Sequence, residues 1–183
     1  MKTMTYRVLL ITMVLALFGA ACTRDETGGE ARGDGDYAGR DVHANPEATP
    51  SNKFTPADIA KLKWIEGTWR GMDGEKPFYE RYKVEGTTLT VESLKEDGSL
   101  DGEPERFELK NGEFGKGEGE RRSAASEITD GYVQFVPAVS GKRNRFRFVK
   151  QPHGWDAILE WPAAPDKAAQ QKVYKMEPWQ PEK

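Results

Sequence analysis

Residues 78–93 read FYERYKVEGTTLTVES. Phe78, Tyr82 and Val84 fall on one parity, and Tyr79, Arg81 and Lys83 fall on the other. Side chains of a strand point alternately to its two faces, so this period of two marks a half-buried strand. Beyond Glu85-Gly86, Leu89, Val91 and Ser93 alternate in the same way with Thr88, Thr90 and Glu92. Two such runs across a glycine turn form an antiparallel hairpin.

The pattern continues downstream. Phe107 and Leu109 are flanked by Arg106, Glu108 and Lys110. Further runs are Tyr132 to Val136, Asn144 to Val149, Trp155 to Trp161 and Lys172 to Met176. Between them stand the turn signals Asp97-Gly98, Asn111-Gly112, Asp130-Gly131, Ser140-Gly141 and His153-Gly154. Gly115 to Ile128 is only weakly strand-like, and the glycine-rich Asn111 to Gly119 (NGEFGKGEG) reads as a flexible hairpin loop. Strands at roughly ten-residue spacing predict an all-β fold, a small antiparallel up-and-down β-barrel of about eight to ten strands.

A short N-terminal helix is predicted to open this domain. Thr55 is a good N-cap, Pro56 suits the first helical position, and Asp58 stands three residues after the cap. Phe54 and Ile59 have the spacing of a hydrophobic staple. Ile59, Leu62 and Ile65 give the helix an apolar face, and it is expected to run from Pro56 to about Lys63.

Upstream lie two segments of another kind. Residues 1–21 have the parts of an export signal: Lys2 and Arg7, then the apolar run Val8 to Phe18, then Gly19-Ala20-Ala21. About 11 apolar residues, at 1.5 Å rise each, do not cross a hydrocarbon core of roughly 30 Å. Cys22 is the sole cysteine, so an internal disulfide is excluded. Gly19-Ala20-Ala21-Cys22 resembles the bacterial lipobox, although a large aliphatic residue is missing at Gly19. The resemblance implies cleavage before Cys22 and acylation of its thiol. The alternative is an ordinary signal-peptidase cut that leaves a soluble periplasmic protein.

Residues 22–52 then form an acidic tether. From Thr23 to Asn52, three Arg stand against seven Asp or Glu, with Tyr37 and Val42 the only sizeable apolar residues. Such a composition does not bury enough surface to offset its ordering entropy, so disorder is expected. Loss of Lys2 and Arg7 takes the formal charge from −3 to −5, which opposes nucleic-acid binding. Thr23 follows the cysteine where an aspartate commonly signals inner-membrane retention. An outer-membrane anchor facing the periplasm is therefore preferred. Residues 53–183 are the barrel domain, and the sequence leaves its oligomeric state open.

Leu62-Lys63-Trp64-Ile65-Glu66-Gly67-Thr68-Trp69-Arg70-Gly71 is a helix running into Gly-x-Trp on the first strand. It resembles the opening of calycin-type barrels, such as lipocalins, fatty-acid-binding proteins and the nitrobindin-like group. It is most similar to lipocalin-like bacterial domains that open on Leu-x-Trp-Leu-x-Gly-x-Trp and continue with an acidic-aromatic strand, here Phe78-Tyr79-Glu80-Arg81-Tyr82. The resemblance implies that Trp69 plugs one barrel end beneath the helix.

No catalytic, zinc-ligand or phosphate-loop motif stands out, so an enzyme is not expected, nor any cofactor or metal. The nitrobindin resemblance raises the question of haem, but His153 sits in a turn and His43 in the tether. Glu80 shares its parity with Phe78, Tyr82 and Val84, which places a carboxylate inside the barrel. Its readings are a hydrated mouth residue, an internal ion pair, or a polar anchor for a ligand. Trp155, Ala157, Leu159 and Trp161 share a face that either fills the barrel or lines a pocket. Glu80, Tyr82, Phe146 and Trp155 are the candidate residues for a small, mostly apolar ligand. The other reading is a filled barrel that serves a structural role or contacts another protein or an envelope polymer. Lys142-Arg143-Asn144-Arg145-Phe146-Arg147 and Lys150 form a basic cluster, read as a solvated outer face or as a contact for anionic lipid or polymer.

Cys22 is expected to be diacylglycerated. Cells grown with an alkyne fatty acid should incorporate it into the wild-type protein and not into Cys22→Ser; an unlabelled wild type would exclude the anchor.

Overall fold

The computed structural model describes residues 53–139, 144–165 and 167–181; the export signal, Cys22 and the tether lie outside them. Helix α1 is short, Pro56–Ala60, and tightens into a 3-10 turn over Lys61–Ile65. At its start the Asp58 carboxylate accepts from the Thr55 backbone N–H at 2.9 Å and from the Thr55 hydroxyl at 2.8 Å. Lys61 donates to the same carboxylate at 2.8 Å. These bonds, the Lys61 one foremost, lower the Asp58 pKa to about 2. The expected α-helix thus ends three residues early, and the last turn tightens so that Ile59, Leu62 and Ile65 all become fully buried.

Ten antiparallel strands follow. They are β1 (Gly67–Asp73), β2 (Lys76–Glu85), β3 (Thr88–Leu94), β4 (Glu105–Lys110) and β5 (Glu113–Lys116). Then come β6 (Ser123–Thr129), β7 (Tyr132–Pro137), β8 (Arg145–Gln151), β9 (Gly154–Trp161) and β10 (Gln170–Pro178). Each strand pairs with its sequence neighbours, and β1 pairs with β10, so the meander closes into an up-and-down barrel. Closure rests on Trp69 opposite Pro178 and Arg70 opposite Glu177, extended by a bond from the Trp179 N–H to the Thr68 carbonyl at 2.9 Å.

Asn111-Gly112 connects β4 to β5 with both residues at positive φ, 55° and 84°. That is the geometry of a type I′ turn, for which Asn-Gly is the preferred pair. The expectation of a loop over Asn111 to Gly119 is corrected here: Glu113–Lys116 is strand β5, with Phe114 fully buried. Ser123–Thr129, in the weakly patterned stretch, is strand β6. A register shift between Ala125 and Glu127 breaks its alternation, which is what hid it from a period-two reading.

Trp69 donates its indole N–H to the Ile65 carbonyl at 2.8 Å, so its ring lies under the helix as a plug for that end of the barrel. Behind it, Trp155, Tyr82, Phe107, Phe114, Phe135 and Phe148 are all exposed by no more than 1 %. Rings meet edge to face or tilted, with Phe148–Trp155 centroids 4.9 Å apart and Phe107–Phe135 centroids 4.8 Å apart.

A Cβ at Gly115 would stand 2.2 Å from the Ser123 carbonyl and 2.9 Å from the Ala124 Cα, both backbone atoms of the partner strand. Gly115→Ala must therefore part β5 from β6. We expect a loss of about 1–3 kcal/mol in urea unfolding; an unchanged midpoint would contradict the close approach of these strands.

Candidate functional site

On β2 the pleat turns Phe78, Glu80, Tyr82 and Val84 to the inside, as the alternation predicts. Glu80 lies opposite Trp69 on one side and Ser93 on the other. Its carboxylate is buried at 6 % exposure, and the Tyr82 hydroxyl donates to its Oε2 at 2.6 Å. Tyr82 packs edge to face against Trp155, with ring centroids 5.1 Å apart. Three of the four predicted ligand residues therefore touch in sequence: Glu80, Tyr82, Trp155. Phe146 is one ring further away, stacked on Phe135 at 4.7 Å and reaching Trp155 through Phe148.

Two residues of this cluster were not singled out in the sequence, Glu105 on β4 and Lys116 on β5. Lys116 donates to the Glu105 carboxylate, and its ammonium lies 5.1 Å from the Phe107 ring centroid and 6.0 Å from that of Phe146. Glu105 carried a signal, since it has the parity of Phe107 and Leu109. Lys116 is two residues after Phe114, a parity concealed by the glycines around it.

Burial is the main force on Glu80: it raises the carboxyl pKa from 4.5 to about 7. The Tyr82 hydrogen bond opposes the rise, the Glu105 charge adds to it, and the Lys116 charge counters it. Burial, and then the neighbouring Glu80 charge, pushes the Tyr82 phenol well above its ordinary range, so Tyr82 remains a donor.

The interior has two layers. Nearest the helix, the aromatic residues are sealed. Farther along stand Glu80, Lys116, Phe146, Leu159 and Tyr174, which are also buried, each exposed by 5 % to 9 %. Leu159 lies opposite Phe146, and Ala157 opposite Tyr174, so these residues form one wall. Phe78 stands edge to face on Tyr174 at 5.4 Å, and Lys172 reaches over the Tyr174 ring to bond Asp73 at 2.5 Å. The chemistry of this layer is that of two carboxyls, a phenol and an ammonium set in an aromatic wall, with the Tyr82 hydroxyl reaching Glu80 from the layer behind.

The outer face is different. Glu92 accepts from Arg81 at 2.5 Å and from Lys83 at 2.9 Å, and Glu160 pairs with both Arg145 and Arg147 at 2.6 and 3.0 Å. Two of the three arginines of the basic cluster, Arg145 and Arg147, are thus paired across the sheet; Lys142 and Arg143 lie outside the described residues. His153 is exposed in the β8–β9 turn, away from the interior. Neither a family model, nor a curated protein, nor a solved structure matches the chain at a significant level.

Because the folded chain holds the Glu80 proton more tightly than the unfolded chain, the group stabilises the fold below about pH 4.5. That contribution is lost as pH rises through about 7. The full shift corresponds to on the order of 3 kcal/mol. Glu80→Gln keeps the shape and cannot ionise. It should match wild type near pH 4.5 and exceed it by about 1–3 kcal/mol at pH 8 in urea melts. A difference that does not vary with pH would mean that Glu80 is not desolvated.

Proposed function

We propose that this chain is a lipid-anchored protein of the bacterial cell envelope, whose barrel holds a small, mostly apolar ligand. The ligand would lie in the half of the interior away from the helix. The observation that carries this reading is the Glu80 carboxyl, buried in an aromatic wall with a phenol as its hydrogen-bond donor. Burying an ionisable group without a charged partner is unfavourable, and the core alone does not require one there. Ten strands also enclose more than eight do, and eight already suffice for a filled core or one small ligand.

In this proposal Glu80 and Tyr82 are the polar anchor, and Phe146 and Trp155 belong to the apolar wall. The ten-stranded meander, the helix at one end and the Trp69 plug support a relationship to calycin-type barrels. Binding without catalysis is proposed, because the polar groups inside are a carboxyl, phenols and a paired lysine with no activated nucleophile among them. The lipobox-like Gly19-Ala20-Ala21-Cys22 and the acidic tether support the anchor, with the outer membrane as the preferred site.

A second reading has its own support. The rings packed around Phe135 support a filled helix half of the barrel, as in a purely structural module.

Native mass spectrometry of the protein purified from its own host separates the two. A ligand is expected as mass in excess of the acylated chain, lost on collisional activation and absent or reduced in Glu80→Gln. Purified protein that carries the acyl mass alone, repeatedly and under gentle extraction, would favour the filled barrel.

A further inference from the structure

We infer that the polar end of the barrel's ligand is a protonated amine, received by Glu80. The inference rests on the ligand-holding reading above and names the chemistry of that site. It starts from the charges that the pleat turns inward. In the polar layer, β2 contributes the buried Glu80, β4 the partly exposed Glu105 and β5 the buried Lys116. Lys116 is bonded to Glu105, so that pair is self-compensated. Among the described residues the Tyr82 hydroxyl is the donor that serves Glu80, and it carries no charge. One anionic site is left without a cation.

A second polar group nearby also lacks a partner. The indole N–H of Trp155, whose ring lies against Tyr82, is buried without a hydrogen-bond partner among the described residues. Two neighbouring polar groups thus lack their complements, a cation for Glu80 and an acceptor for Trp155. A folded interior normally satisfies such groups. A ligand entering the polar layer is in a position to supply the cation for Glu80, while the Trp155 N–H stays within the sealed aromatic layer.

The three common head groups of a small amphiphile then separate by physical chemistry. A carboxylate would meet Glu80 and Glu105 as like charges and would have to draw Lys116 from its partner. An alcohol gives Glu80 a hydrogen bond but leaves its charge uncompensated. An ammonium gives both. A charge-assisted bond is roughly twice as strong as a neutral one.

The test uses the whole chain and amine, alcohol and carboxylate probes on one apolar body: octylamine, octanol and octanoate, then the phenylbutyl set. Calorimetric titration at pH 8 should show the amine binding about tenfold or more tighter than the alcohol, and the carboxylate weakest. Glu80→Gln should reduce the amine preference to within about threefold of the alcohol while alcohol binding stays. If alcohol or carboxylate binds as tightly as amine, the amine inference is overturned and the ligand-holding reading stands. If no probe of either body binds, the polar layer is filled and both fail. An amine preference that survives Glu80→Gln would overturn Glu80 as its receptor. Should that variant not fold, Lys116→Met serves instead: it removes the internal cation, so amine affinity should rise severalfold, and no rise refutes the charge balance.

Discussion

A meander of ten strands has two free edges, and here they join over Trp69 opposite Pro178 and Arg70 opposite Glu177. Everything else in the domain depends on that short seam. Once it is made, no edge is left to pair with another chain, and every residue of inward parity is taken out of water together. Outside the seam Arg70 bonds Glu177 at 3.0 Å, an exposed pair that adds little. Inside it, Trp69 ties the first strand to the helix through the Ile65 carbonyl. The seam and the plug thus share one residue. The two charge networks on the outer face, centred on Glu92 and Glu160, are cross-strand pairs that fix register and add to closure without determining it.

Closure divides the interior by chemistry. Toward the helix, the pleat presents Tyr82, Phe107, Phe135, Phe148 and Trp155, large rings that interlock and leave no room for water. Each strand continues beyond this layer by a residue or two of the same parity. At those positions the composition changes to Glu80, Glu105, Lys116 and Tyr174. The pleat itself has not changed, so the polar layer is a choice of residues and not a consequence of topology. Apolar residues of similar size would close the barrel equally well and with a gain in stability.

Much of this was legible because the period of two is robust. From Phe78 to Val91 the alternation alone sets the parity of Glu80 and Tyr82, and a shift by one residue would turn both outward. The Thr55–Asp58 pairing was legible because caps act within a few residues, whereas the place of Trp69 came from the resemblance of its Gly-x-Trp to calycin-type openings. The segment from Glu113 to Thr129 was harder. Strand β5 has four residues with Gly115 among them, and β6 loses its alternation at Ser126, so neither offers enough repeats. Lys116 was missed with β5, and with it the neutralising partner of Glu105. The pairing of Arg145 and Arg147 with Glu160 was hidden differently, since it joins strands β8 and β9 across a hairpin whose register was not known in advance.

The place of Glu80 makes it the most informative residue in the barrel. Its carboxyl titrates near neutrality because the seam has desolvated it, and above that pH the fold carries an ion it would be more stable without. Tyr82 lessens the penalty with one hydrogen bond and does not remove it, while Glu105 adds to it. A core built for stability alone would place glutamine or leucine here, and the alternation, the turns and the seam would be unaffected. The strain has no use in folding. In the ligand-holding proposal it has one, because a group held desolvated before binding has already lost its water when a partner arrives. Such a site gains more from a complementary charge than a solvated carboxylate would. Sequence rules are followed closely at the cap, the hairpins and the plug and are broken at Glu80, a departure that the proposed ligand site would account for.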